Sequence, residues 1–466
     1  MPTGFRPAAV SRVAAVLHGG AGTAWIVEAS PNSCTPGPLT PVGGCGILPR
    51  MRVALLTAGS RGDVAPYTGL GHALERAGHR VTLVTHARFA PLAEDAGIGF
   101  HPLPVDPRAE LDSARGRALR RSANDVEQRV RAFALARQSA GRMADGLLAA
   151  AQEADVLLVS SSLQLLGHTL AEGLGLPAMG VYLQPLHATR EFAPSVMSTR
   201  SWGPVGNRIA ARAVNVAIDA VFSGTARTLR ARLGLPPSST RAARRTRERQ
   251  RWPVRHGFSP LVVPRPRDWR PELTVDGYWW QHDPPGAGLP PHVRDFLAAG
   301  PPPVFVGLGS IPVPDPAQLG VTAVRALRAA GLRGVIQRGW SGLEADGDDM
   351  LTVDELPHAA LFPQTAAVVH HAGAGTTAAA LRAGVPAVPL PLQLDTGFWA
   401  GRLTALGVAP RAVPLRRISA DALTDALLRV TTDPAYRERA RALGTRIRAE
   451  DGTAPVVTAV DRLAGA

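Results

Sequence analysis

Apolar positions along this chain fall into short solid runs, separated by segments in which they recur every three or four residues. The runs Arg52–Ala58, Arg80–Thr85, Ala154–Ser160 and Pro177–Leu183 read as strands buried on both faces of a parallel sheet. Tyr67–Ala77 has helical spacing and ends at Gly78, and the stretch Gly59–Pro66 before it reads as a turn. A second train follows, with Val304–Leu308, Gly334–Gln337 and Ala366–Val369 as strands. Its helices are Gly320–Ala330, Thr376–Arg382, Phe398–Leu406, Ala420–Thr431 and Tyr436–Glu450. Between the trains, Gln281–Pro303 is rich in Pro and Gly and reads as a linker. Strand and helix alternate throughout, so the pattern predicts an α/β chain of two domains, residues 51–280 and 304–466.

Composition narrows this only a little. The 466 residues, 45% of them hydrophobic, are enough for two cores. All 51 basic residues are Arg, and the net charge of +14 would suit nucleic acid or an acidic membrane surface. Aromatic residues make up only 5%, however, and the arginines are scattered, which argues against a nucleic-acid partner. The dense run Arg241–Arg251 reads as a solvated face, with attraction to an anionic membrane as the sharper alternative. No uninterrupted apolar run approaches the roughly 18 residues of a membrane span. Residues 1–50 differ from the rest. They hold both cysteines, Cys34 and Cys45, and lack periodicity, and are expected to be a disordered extension upstream of a start at Met51. Without disulfides in the remainder, a cytoplasmic location is expected.

The chemistry concentrates in Ala366–Leu394, which reads as strand, glycine turn, helix, Gly-Val-Pro turn and second strand, closed by Asp395. A glycine turn opening a helix brings backbone N–H groups and the positive end of the helix dipole to a phosphate. His371 and Thr376 add side-chain donors there. Two other readings stay open on the residues alone. Gly373, Gly375 and Ala378 satisfy the loose pattern of a nicotinamide-dinucleotide site, with Asp395 as the ribose acid. A turn that binds nothing is the plainer one. In the first domain GSRGDVAP lies at the carboxyl edge of a strand, where ligands of such sheets bind, although Asp63 within it also suits a helix N-cap.

HHAGAGTTAAALRAGVPAVPLPLQLDTGFWAGRLTALGVAP resembles the donor-binding signature of the GT-B glycosyltransferases, the family that includes the sterol glucosyltransferases and the antibiotic-aglycone glycosyltransferases. GSRGDVAP is similar to that family's first loop, and Ser259–Trp280 is similar to the end of its first domain. The resemblance covers Met51 to about Leu463. It implies two Rossmann-like domains with parallel sheets facing a central cleft, and a last helix that crosses back to the first domain. The donor is then a nucleotide sugar, UDP- or dTDP-linked, serving as co-substrate with no separate cofactor and no metal.

The resemblance places residues as follows. His371, Gly373, Gly375, Thr376 and Ser310 hold the diphosphate, supplying positive charge and helix-end dipoles, and Asp395 holds the sugar hydroxyls. Thr396 stands where the family has Gln, which points away from UDP-glucose and toward a deoxysugar. Ala372 replaces a usual Gly. Val353 lies in the segment that receives the nucleotide base. Asp63 is the general base, and the loop with His187 and Phe192 shapes a pocket for an apolar hydroxylated acceptor, sterol-like or a natural-product aglycone. The expected reaction is inverting hexosyl transfer. A non-catalytic helper of the same fold, a GT-B enzyme using a UDP-N-acetyl sugar, and a nicotinamide oxidoreductase remain the alternatives.

Overall fold

The computed structural model describes residues 16–19, 23–26 and 50–464, apart from 115, 117–124, 197–199, 285, 287, 312, 314, 346 and 393. The chain divides into two compact units, 1–49 and 50–466. In the first, strands β1 (Val16–Gly19) and β2 (Thr23–Ile26) pair antiparallel. The rest of the expected extension, with Cys34 and Cys45, lies outside the described residues.

The second unit carries two parallel sheets. The first has seven strands: β3 (Arg52–Leu56), β4 (Arg80–His86), β5 (Gly99–Leu103), β6 (Val156–Val159), β7 (Ala178–Tyr182), β8 (Val254–His256) and β9 (Leu273–Val275), in the order β5-β4-β3-β6-β7-β8-β9. The second has five: β10 (Val304–Gly307), β11 (Gly334–Gln337), β12 (Met350–Val353), β13 (Ala367–His370) and β14 (Ala387–Pro389), in the order β12-β11-β10-β13-β14. Every neighbouring pair in both is parallel. The solid apolar runs become central strands because helices cover both faces; β6, β10 and β13 are buried at every position.

In each sheet the strand order reverses once, between β3 and β6 and between β10 and β13. Such a switch point splays the connections to opposite faces and opens a crevice at the strands' carboxyl ends. The crevice of the first sheet is bordered by the start of α1 (Arg61–Arg76) and by Ser160–Ser162; that of the second is bordered by Gly309–Ser310 and His371–Gly375. Both open into one cleft of about 2500 Å³. A site for one drug-sized ligand is roughly 300–1,000 Å³, so this cleft has room for two substrates side by side.

Two expectations need correction. The helix expected over Tyr67–Ala77 begins at Arg61, with Pro66 inside it. Gly62 and Pro66 look like turn residues; Gly62 falls in the first turn, which has no intrahelical N–H bonds to lose, whereas Pro66, the sixth helical residue, gives up the bond to the Gly62 carbonyl. The stretch 281–303 is not wholly linker, because Pro291–Ala298 is helical and Leu289 and Val293 pack into the second lobe's core. Apart from these, α2 (Gly203–Arg232) is long and apolar enough by composition to cross a bilayer. It nevertheless carries Asp219 at 0% exposure, ion-paired to Arg244 at 2.6 Å and Arg247 at 3.1 Å, both on α3 (Thr240–Arg249). A charge cluster of this kind is stable inside a folded lobe and costly in lipid.

Three other helices bear on the site. These are α4 (Ala374–Ala383), α5 (Thr396–Ala405) and α6 (Ala454–Ala464). The last packs Val456 and Val460 into the first lobe's core and sets Asp461 3.0 Å from His79, so the chain end returns to the lobe where it began.

Candidate active site

On the first-lobe side, Ser60 caps α1 and Asp63 occupies the third helical position. The Asp63 Oδ2 accepts hydrogen bonds from the Ser60 amide at 2.9 Å and the Ser60 hydroxyl at 3.0 Å. Gly59 has φ +145°, and a β-carbon there would meet Asp63 Oδ2 at 2.4 Å, so only glycine lets the carboxylate fold back this way. The Gly59 amide donates to Nε2 of buried His86, whose burial holds it neutral and able to accept. The Asp63 Oδ1 has one long contact, from Gln184 Nε2 at 3.4 Å, and Gln184 is itself held by the Ser161 hydroxyl at 3.0 Å. Burial pushes the Asp63 carboxyl above the usual range, against the pull of the Ser60 and Gln184 donors. Asp63 is therefore the reciprocal acid of a helix cap, with one oxygen spent on the cap and the other directed at the cleft.

On the second-lobe side, β13 ends at His370, and the chain turns through Ala372 at φ +62° before α4 begins. His370 Nδ1 accepts from the Ala372 amide at 3.1 Å, which pins this turn. The His371 ring lies between two glycines: a β-carbon on Gly373 would meet its Nε2 at 2.3 Å, and one on Gly309 its Cε1 at 3.1 Å. Gly373 caps α4, so the amides of the first turn, including Gly375 and Thr376, have no partner within the helix. Ser310 lines the cleft opposite them. Burial pushes the His371 imidazole down to about 4. At neutral pH it is an uncharged single N–H donor, which corrects the expectation of positive charge there. The helix end supplies the positive potential instead.

Asp395 stands just before α5 and accepts from Trp399 Nε1 at 2.9 Å. Its carboxyl is raised to about 6, mainly by burial and in smaller part by the charge of Asp63. Asp63 and Asp395 both line the one cleft. Thr396 is only 4% exposed, and its Oγ1 accepts from the Leu392 amide at 3.1 Å. Its hydroxyl thus helps close the loop into α5.

The remaining expected residues fall outside this centre. Val353 is buried in the second lobe's core, and the cleft there is lined by Glu355–Ala359 and Gly339 instead. His187 packs in a ring cluster, stacked on Tyr182 at 5.6 Å and edge-on to His256 and Trp269. Phe192 meets Phe398 of α5 at 5.3 Å, so it joins the two lobes. Other side chains bridge the walls of the cleft. Arg61 reaches across to Glu355 at 2.9 Å and also donates to Gln281 at 3.1 Å. Arg382 lies 4.4 Å over the Trp280 ring. Gln184 was legible in principle, since it follows β7 at the ligand-bearing edge, but nothing in its neighbourhood marked it as a partner of Asp63.

Comparison with known proteins shows the family. Residues 53–192 match the glycosyltransferase family 28 N-terminal domain, and residues 336–463 match the C-terminal domain of erythromycin biosynthesis protein CIII-like proteins. The chain is 36% identical over 409 residues to the O-mycaminosyltylonolide 6-deoxyallosyltransferase of Streptomyces fradiae, covering 86% of this chain and 95% of that one. The chain belongs to the GT-B glycosyltransferases. A sterol 3-beta-glucosyltransferase of Arabidopsis thaliana is 31% identical, with 88% of this chain aligned to 65% of that longer protein. The Streptomyces sp. SF2575 glycosyltransferase SsfS6, solved with thymidine diphosphate, shares the fold at a TM-score of 0.59 and 21% identity, over 89% of this chain and 100% of the other. As a GT-B glycosyltransferase, the chain has its two switch-point crevices facing each other by design of the fold, and the oxidoreductase alternative falls away.

Proposed function

We propose that this glycosyltransferase transfers a hexose, with inversion and without a metal ion, from a dTDP- or UDP-sugar to a hydroxyl of an apolar acceptor. The carrying observation is the pairing across one cleft of a half-buried acid of raised basicity, Asp63, with a helix N-terminus, His371 and Asp395. The acceptor oxygen attacks the anomeric carbon while its proton passes to Asp63 Oδ1, the oxygen not held by Ser60. The bond from the anomeric carbon to the diphosphate oxygen breaks. The charge released there is met by the first-turn amides of α4, Thr376, Ser310 and the neutral His371 N–H, which are donors already in place. Asp395, when ionised, accepts from the sugar hydroxyls.

Two observations favour a deoxysugar donor on dTDP. One is Thr396, whose buried hydroxyl already serves the Leu392 amide and offers a sugar less than the longer Gln would. The other is the name of the Streptomyces fradiae relative and the thymidine diphosphate bound by the structural neighbour. The acceptor wall is apolar, with Leu183, Leu186, Val196, Ile218 and Val221, which suits a sterol-like or natural-product aglycone. The test is turnover of a panel of dTDP- and UDP-sugars in the presence and absence of EDTA, with the anomeric configuration of the product read by NMR. A dTDP-deoxysugar is expected to lead, EDTA to have no effect, and configuration to invert. Thr396→Gln is expected to move the preference toward a fully hydroxylated sugar; an unchanged ranking of donors rejects that role for Thr396.

A further inference from the structure

Seven large hydrophobic side chains are exposed among the described residues, and four of them lie along the first half of one helix. Trp202 precedes α2 at 50% exposure, and Val205, Ile209 and Val216 follow on it at 64%, 61% and 51%. The spacing Val205, Ile209, Arg212, Val216 is four, three and four residues, which places them on one stripe of the helix surface. The other side of α2 is accounted for. Asn207, Ala211 and Val214 face inward, and Val214, Ala217, Ile218 and Val221 line the cleft. Among the described residues, the outward stripe has no such covering.

Its charge has one sign. Between residues 200 and 218 there are three arginines, Arg200, Arg208 and Arg212, and no Asp or Glu. The first acid on the helix, Asp219, is buried and already bonded to Arg244 and Arg247. Helix α3 is bound to the middle of α2 through Arg244, which donates to the Asn215 carbonyl at 3.0 Å, and it adds the exposed Arg241, Arg245 and Arg249 against one exposed Glu248. An apolar stripe with a tryptophan at its end, flanked by arginines and free of acids, is the pattern of a helix that lies in the plane of an anionic bilayer surface. A protein partner complementary to the apolar stripe alone would not need this one-sided charge.

We propose that the outward stripe of α2, with the arginines beside it, docks this protein on an anionic lipid surface. Trp202, Val205, Ile209 and Val216 enter the headgroup region, and Arg208 and Arg212 meet lipid phosphates. Because the same helix lines the cleft on another face, docking sets the cleft wall beside the bilayer. An apolar acceptor dissolved in the lipid would then have a short path to Asp63, a consequence that rests on the function proposed above, whereas docking itself does not.

The test is sedimentation of the full chain, without substrates, on vesicles of phosphatidylcholine alone or with about one third phosphatidylglycerol. Binding is expected only to the anionic vesicles, with release by high salt. Arg208→Gln with Arg212→Gln is expected to weaken it roughly 25-fold, at about 5-fold per arginine. Ile209→Ser with Val216→Ser is expected to weaken it at least 10-fold. Turnover of a water-soluble acceptor should stay unchanged in all variants, since none of these side chains lines the cleft; that also reports correct folding. Equal sedimentation on neutral vesicles, no sedimentation by the wild type, or undiminished sedimentation of both variants overturns the proposal. So does a dimer of the wild type that the Ile209/Val216 variant dissociates, which would assign the stripe to a second copy of this chain.

Discussion

The two lobes solve the same topological problem with different economies of sequence. In the second lobe one continuous stretch, from β13 through the first turn of α4, carries His371, Gly373, Gly375 and Thr376, and Asp395 follows after a single strand. In the first lobe the wall facing it comes from α1, the loops after β6 and β7, the middle of α2 and the segment after β9. A ligand held by backbone amides requires a particular local geometry, and local geometry leaves a local signature. A ligand held by apolar surface requires only shape, which distant residues of many types can supply. The donor half is therefore specified by motif and the acceptor half by packing.

The sharpest way to break this contrast is at Asp63, the one residue of the first lobe that is argued to do chemistry. Asp63→Asn keeps the shape and the hydrogen bond from Ser60 but removes the base. Turnover should fall on the order of 10²–10⁴-fold, with little change in the KM for donor, because the donor contacts lie in the other lobe. Near-normal turnover with an aliphatic alcohol would show that the first lobe, too, contributes only a surface. A uniform rise in the KM for donor would instead mean that Asp63 belongs to the donor site.

Asp395 comes next. It is ordinarily protonated below about 6, and a neutral carboxyl accepts poorly from sugar hydroxyls. Donor affinity should therefore fall as pH drops through about 6, and Asp395→Asn should lose roughly 10–100-fold at neutral pH while flattening that dependence. Stability should move the other way. An acid whose folded value is raised contributes stability fully below its unfolded value near 4 and loses it as pH rises through about 6. At neutral pH the buried charge costs the folded state on the order of 2–3 kcal/mol, and Asn avoids it while still accepting from Trp399. Asp395→Asn should thus melt higher than the wild type above pH 6, by about 1–2 kcal/mol, with the gap closing below pH 4. A variant that melts lower at neutral pH would place the stabilising weight on the Asp395–Trp399 bond.

The same contrast explains what could be read in advance. The parallel strands were legible because burial on both faces forces solid apolar runs, and the turn at Gly373 because few other residues permit it. The start of α1 was not, since Gly62 and Pro66 mimic a turn, and the helix runs on through Pro66 at the loss of one backbone bond. Strands β8 and β9 were missed because three residues each are too short to show a period. Val353 was assigned by its place in a motif, and the structure puts that side chain in the core while its neighbours line the cleft. His187 carried the right residue type for chemistry, but three rings around it make it a packing residue.

The smallest predicted effect lies inside the motif itself. Ala372 holds φ +62° with no exposed surface, where the family resemblance expects glycine. An L-residue with this backbone costs about 1–2 kcal/mol, so Ala372→Gly should relieve that amount. Against it stand the loss of one buried methyl, about 0.8 kcal/mol, and the extra freedom of glycine in the unfolded chain, about 0.4–1 kcal/mol. The three terms nearly cancel. The melting temperature should shift by less than about 3 °C, and donor affinity should stay within about twofold, because the His370 contact pinning this turn is made by the backbone amide. Ala372→Val keeps the amide but adds branching at Cβ in a left-handed turn with no room around it, and should destabilise by more than 2 kcal/mol. If Ala372→Gly instead costs as much as Ala372→Val, the methyl's packing outweighs the backbone strain, and the motif in this lobe is held by side-chain packing as the acceptor wall is.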